Sequence, residues 1–110
     1  MDEVVGQEQR GQSAAMRIVW SRRAVRDLVT LRDTIAAESP RSAAQVAERI
    51  LESVELLAGH PEMGRPGRVL GTRELVVPGT PYLIPYRVRE RSLELIAMFH
   101  GRQRWPESFA

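Results

Sequence analysis

The chain has no cysteine and no lysine among its 110 residues. Without cysteine, neither a disulfide framework nor a thiolate metal site can form, so the fold must hold by packing alone, as cytosolic proteins do. No apolar run approaches the roughly 20 residues that span a bilayer. The first fifteen residues also lack the apolar core of a signal peptide. The expected location is therefore the cytoplasm, without membrane contact. A glycine-rich phosphate loop, a G-x-S-x-G elbow and an H-E-x-x-H helix are absent too. His60 and His100 have no third ligand type at a sensible spacing, so no metal site and no cofactor are expected.

The missing lysine leaves arginine as the only strong base. It has two explanations: the codon usage of a GC-rich genome, or selection for planar, permanently charged forks that suit phosphate and carboxylate. The formal charge is only +2. Residues 1–60 hold eight Arg against nine acids, and residues 61–110 hold eight Arg against five acids, so the positive charge lies in the C-terminal half. A chain of this length forms one domain with one modest core, burying roughly 60–70 % of its unfolded surface.

Residues 1–15, "MDEVVGQEQRGQSAA", show neither a helical nor a strand period and are expected to be a disordered extension or an over-long start, with Met16 as the alternative first residue. The single domain is then 16–110. It opens with a strand-like "RIVW". Ser21 follows as an N-cap, and Ala24, Leu28, Leu31 and Ile35 recur at helical spacing, which predicts a helix over about 22–37. Ser39 and Pro40 have the cap and first-turn chemistry of a second helix. Its apolar stripe is Ala43, Val46, Ala47, Ile50, Val54 and Leu57, and Gly59 and Pro61 end it. The short link between them requires an antiparallel hairpin.

"HPEMGRPGRVLG" is loop. Three strands follow, at Thr72–Val77, Tyr82–Val88 and Ser92–Phe99, with hairpin-length links. Leu75, Val77, Ile84, Tyr86, Val88, Leu93, Leu95 and Phe99 are the expected core. Pro85 cannot donate to a ladder, which predicts a bulge or a missing bond in the middle strand. The fold class is α+β, β-α-α-β-β-β, with an antiparallel sheet and the helical hairpin on one face.

Strand alternation puts Arg87 and Arg89 on one face and Tyr86 and Val88 on the other. With Arg65, Arg68, Arg73, Arg102 and Arg104 they form a candidate positive surface, although any one of them also reads as a solvated side chain. His100 is a candidate proton carrier or a residue that orders the tail. Trp105 is expected to pack across an end of the sheet, with base stacking as the alternative. His60 reads as structural.

Taken in order and spacing, "WSRRAVRDL", "LLAGHPEMGRPGR", "TRELVV", "YLIPYRV" and "FHGRQRW" resemble the RelE/ParE superfamily of type II toxin–antitoxin toxins over about residues 16–106. The resemblance implies the fold derived above and a cognate antitoxin that wraps the toxin with an acidic, partly disordered segment. It also admits toxin dimers inside the antitoxin complex and a plasmid-stabilization role.

Two activities go with the resemblance. RelE-type toxins enter the ribosome and cleave mRNA with basic residues and a proton carrier. ParE-type toxins poison DNA gyrase. Leu83 stands where RelE-type strands carry Arg, and Thr72 and Glu74 lie near positions where they carry Lys. "FHG" followed by Arg102 resembles the ParE-type ending. The expectation is therefore gyrase poisoning, with target-binding residues Arg65, Arg68, Arg73, Arg87, Arg102, Arg104 and Trp105. The alternative is a ribosome-dependent nuclease with catalytic candidates His100, Arg73, Arg87 and Arg102. An inactive homologue that only binds antitoxin is the third.

Overall fold

A computed structural model describes residues 15–106, 108 and 109; the extension expected over 1–15 lies, but for Ala15, outside the described residues. Strand β1 (Arg17–Trp20) leads through Ser21 into helix α1 (Arg22–Ala36). The Ser21 hydroxyl accepts the Ala24 N–H at 2.9 Å, capping the helix. Ser39 repeats the device for helix α2 (Pro40–Gly59), accepting from the Ser42 N–H at 3.1 Å with Pro40 in the first turn. The two helices pack as the expected hairpin.

Five more strands follow: β2 (Arg65–Pro66), β3 (Arg73–Val76), β4 (Tyr82–Arg89), β5 (Ser92–Leu95) and β6 (Phe99–His100). The sheet order is β1-β5-β4-β3-β2, with β6 pairing β4. All pairs are antiparallel except β1 with β5, which run parallel, so the sheet is mixed. The parallel pair follows from the connectivity: the chain leaves β1 through the helical hairpin and the β3–β4 meander before β5 comes in beside it.

The strand expected over Ser92–Phe99 is split in two, and Pro85 is where it splits. Tyr86 pairs with Leu95 and Leu83 with Phe99, so two residues of β4 stand opposite three, Ile96 to Met98. That is a β-bulge. The Pro85 carbonyl accepts the Ile96 N–H at 2.9 Å, and its missing N–H faces the same edge. Helix α1 takes up backbone groups that the bulge releases. The Ser21 hydroxyl donates to the Ile96 carbonyl at 2.8 Å, and Asp27 Oδ2 accepts the Met98 N–H at 3.0 Å. Ser21 thus caps its helix and docks it to the sheet with one oxygen.

The core lies between α2 and the sheet. Ile50, Val54 and Leu57 meet Leu75, Val77, Ile84, Tyr86, Leu93 and Leu95, all buried. Val46 and, from α1, Leu28 and Leu31 pack at its margin, only half-buried. Two expected core residues sit elsewhere. Val88, near the end of β4, is 42 % exposed. Phe99 is buried but pairs with Leu83 on the opposite face of the sheet.

The Tyr86 ring fills the core and its hydroxyl donates to the Pro61 carbonyl at 2.7 Å while accepting the Gly64 N–H at 2.9 Å. This close approach requires glycine at 64, since a Cβ there would lie 2.6 Å from the Tyr86 hydroxyl and 2.7 Å from the Glu74 carbonyl.

Asp27→Ala is expected to lower stability by about 1–3 kcal/mol, because it leaves the Met98 N–H in the bulge without its acceptor. Urea denaturation of the variant and the wild-type chain checks this. An unchanged midpoint would mean that water substitutes for the carboxylate.

Candidate functional site

The sheet face away from the helices carries Glu74, Leu83, Arg87, Glu94 and Phe99, as alternation requires. The C-terminal segment folds back over part of it. Trp105 lies 4.5 Å and Phe109 6.2 Å from Phe99, measured between ring centroids. Offset aromatic contacts of this kind hold a segment that has no ladder of its own. Beside the segment, a groove of about 420 Å³ runs over Val19 and Ile96, with Arg23, Arg87, Glu94 and Phe109 among its walls.

Glu74 organises one end of this face. Its side chain is only 2 % exposed. One carboxylate oxygen accepts from Arg65 Nε at 3.3 Å and Nη2 at 3.1 Å. The other accepts the Arg68 backbone N–H at 2.8 Å and Arg68 Nε at 3.1 Å. The Arg68 guanidinium also lies 3.8 Å from the centroid of the Trp105 ring, a cation–π contact that joins the loop to the C-terminal segment. Burial raises the Glu74 pKa, but the hydrogen bonds from the Arg68 backbone and from both guanidinium groups outweigh it and hold the carboxyl below its ordinary value.

The other candidates are placed one by one. Arg73 pairs in register with Tyr86, so Arg73 and Arg87 point to opposite sides of the sheet and do not converge on one phosphate. The Arg73 guanidinium donates to the carbonyls of Gly64 and Glu62 at 3.1 and 3.0 Å, holding the loop after α2. Arg87 Nε donates to Glu94 at 3.0 Å across the β4–β5 pair, with Arg89 3.9 Å from the same oxygen. Arg102 and Arg104 are exposed, and neither guanidinium has an acceptor among the described residues.

His100 packs edge-on against Tyr82, with ring centroids 5.5 Å apart. Its Nδ1 accepts the Arg102 backbone N–H at 3.0 Å, and the His100 backbone N–H donates to Gln103 Oε1 at 2.8 Å. A ring that accepts at Nδ1 carries its proton on Nε2 when neutral, so its lone pair is already engaged in closing the turn. Its contacts are those of a residue that orders the tail. Among the described residues no three His, Cys, Asp or Glu side chains gather in a way that could hold a metal ion, and no helix is long and apolar enough to cross a membrane.

Sequence reasoning placed Glu74 on a strand but not at the centre of this network. The available signal was an acid in a strand reading "RELV" downstream of a loop holding Arg65 and Arg68. Asp27 and the Tyr86 hydroxyl had no comparable signal, because their acceptors and donors are backbone groups 71 and 25 residues away.

Residues 18–105 match the family described as the ParE toxin of the type II toxin–antitoxin system parDE. The protein Y4kP of Sinorhizobium fredii is 44 % identical over 91 residues, covering 83 % of this chain and 94 % of that protein. Toxin RelE2 of Caulobacter vibrioides is 34 % identical over 85 residues, covering 77 % of this chain and 94 % of that protein. A chain from a solved structure of the chromosomal ParDE system of P. aeruginosa superimposes with a TM-score of 0.74 at 27 % identity, covering 80 % of this chain and 98 % of that one.

The Glu74 network makes stability depend on acid. Since the folded-state pKa lies below the ordinary 4.5, the contribution is present above that pH and is lost as pH falls through the folded value. Glu74→Gln, whose amide does not titrate, is expected to be about 1–3 kcal/mol less stable at pH 7. It should also lack this part of the loss on acidification. Urea midpoints at pH 7 and pH 3 measure both effects, and parallel acid losses in the two proteins would exclude Glu74 as their source.

Proposed function

The chain belongs to the ParE toxin family of type II toxin–antitoxin systems, and from that premise we propose that it arrests growth by binding and poisoning DNA gyrase when its antitoxin is lost. The observation that carries this reading is the engagement of the polar groups a nuclease would need. Phosphoryl-transfer catalysis requires a proton carrier with a free lone pair and guanidinium groups converging on the charge that develops. In this chain Arg65, Arg68, Arg73 and Arg87 are bound to acceptors within the protein and the His100 lone pair closes a turn, so that of the catalytic candidates Arg102 alone is unengaged among the described residues. A gyrase poison needs none of that constellation. It needs a rigid protein-binding surface, and the arginines here act as struts for one.

The cognate antitoxin blocks the toxin by covering the sheet face that the C-terminal segment leaves open. The groove there is lined by apolar Val19 and Ile96 and by Arg23, Arg87 and Glu94, the last two paired with each other. An aliphatic segment suits the apolar lining, and an acidic side chain on it would compete with Glu94 for Arg87.

Purified toxin mixed with gyrase, ATP and plasmid is expected to reduce supercoiling and accumulate cleaved DNA, with both effects reversed by the cognate antitoxin. Folded toxin at saturation with no effect on gyrase would return the ribosome-dependent reading to first place. His100→Ala is expected to keep its power to arrest growth and to lose about 1 kcal/mol of stability through the broken turn bond. Loss of arrest in a folded His100→Ala protein, with gyrase inhibition in vitro unchanged, would favour the proton-carrier reading.

A further inference from the structure

The loop between β2 and β3 presents one side chain that the fold does not use. Leu70 is 98 % exposed, the most exposed of the large apolar residues described. Single exposed apolar side chains are ordinary on protein surfaces. Leu70 differs because the loop that carries it is held rigid. The Val69 carbonyl accepts both the Thr72 N–H at 3.1 Å and the Thr72 hydroxyl at 2.6 Å, closing a four-residue turn. Gly71, third in that turn, has φ of +83°, which a type II turn requires and which glycine adopts without strain. The Gly67 N–H donates to the Thr72 carbonyl at 2.8 Å, closing the base of the loop. Val69 is buried directly beneath, 6 % exposed.

The bracing continues downward. Arg68, next to Val69, is tied to Glu74 by its backbone and its side chain, and Arg65 binds the same carboxylate. The loop therefore holds the Leu70 backbone in place at a tip where chains ordinarily place small or polar residues. Docking from a braced backbone leaves only the rotamers of the side chain itself to be ordered.

The surroundings of Leu70 specify what it fits. The Arg65 and Arg68 side chains are 55 % and 45 % exposed, whereas the Glu74 they share is 2 % exposed. From outside, the tip is an aliphatic prong with an excess of positive charge at its base. Nucleic acid offers phosphate for the charge, but it admits an apolar wedge only by unstacking a base step, a cost that a preformed apolar pocket on a protein does not impose. A protein surface with an apolar pocket rimmed by Asp or Glu offers both.

We propose that Leu70 is the contact prong by which this chain engages the protein it poisons, inserting into an apolar socket with an acidic rim. This rests on the reading that the target is a protein, gyrase. Leu70→Asp keeps the loop, since nothing packs on the side chain, but puts a charge of the wrong sign and shape at the tip. Leu70→Met keeps an apolar prong. The expected result is at least about a tenfold loss of gyrase inhibition for Leu70→Asp, the scale of a central contact residue. Leu70→Met should retain inhibition, and both variants should match the wild-type melting midpoint and antitoxin affinity.

Inhibition by Leu70→Asp equal to wild type overturns the proposal. An equal loss of antitoxin affinity overturns it as well, by giving the socket to the antitoxin. If wild-type toxin leaves gyrase untouched, the gyrase reading fails by itself and growth arrest decides the prong: arrest lost with Leu70→Asp and kept with Leu70→Met supports a socket on another protein, and arrest kept by Leu70→Asp overturns it. A wild-type chain that arrests nothing overturns both.

Discussion

A buried carboxylate governs the outer half of this protein. Glu74 sits on β3 with almost no exposed surface, which would be unfavourable for an isolated charge. Four hydrogen bonds from two arginines and a backbone amide offset that cost. The consequences spread in two directions. Toward the loop, the carboxylate fixes Arg65 and Arg68 and so the base of the turn that carries Leu70. Toward the C-terminal segment, Arg68 lies on the Trp105 ring, and Trp105 in turn packs on Phe99. One acid thus connects a loop, an edge strand and the C-terminal segment, none of which has a large core of its own.

The same economy recurs one strand away, at Pro85, the register partner of Glu74. Pro85 interrupts the β4 ladder, and the resulting bulge would leave polar backbone groups buried and unmet. Helix α1 meets them with Ser21 and Asp27, so the break in the sheet becomes the seat of the helix. This explains why α1, which has only one fully buried apolar residue, Ala24, keeps a defined position. Its docking adds directed hydrogen bonds to the half-buried packing of Leu28 and Leu31, where α2 relies mainly on area removed from water.

These constraints bear on function. Arginine is abundant, but in the β2–β3 region and on β4 it acts mainly as internal bracing, whereas the Arg102 and Arg104 guanidinium groups of the tail have no acceptor among the described residues. A protein of the ParE toxin family built this way offers rigid loops and a partly covered sheet face to other proteins. Loops set on a stiff frame commonly carry recognition, because the frame removes the entropy cost of ordering them.

Local chemistry was legible from the chain alone. Ser21, Ser39 and Pro40 marked the helix starts because capping acts within three residues, and the apolar stripe of α2 followed from a period of 3.6. The proline in "YLIPYRV" announced a break because a missing N–H is a property of the residue itself. The order of motifs, from "WSRRAVRDL" to "FHGRQRW", carried the family. The tertiary structure decided what each arginine does, because a guanidinium takes its role from the acceptor it meets, and Glu74, Glu94 and the carbonyls of Glu62 and Gly64 lie on other strands and loops. It also decided the parallel pairing of β1 with β5, the face to which Phe99 turns and the exposure of Leu70. Each of these depends on which distant segments come together, and no short-range period encodes that.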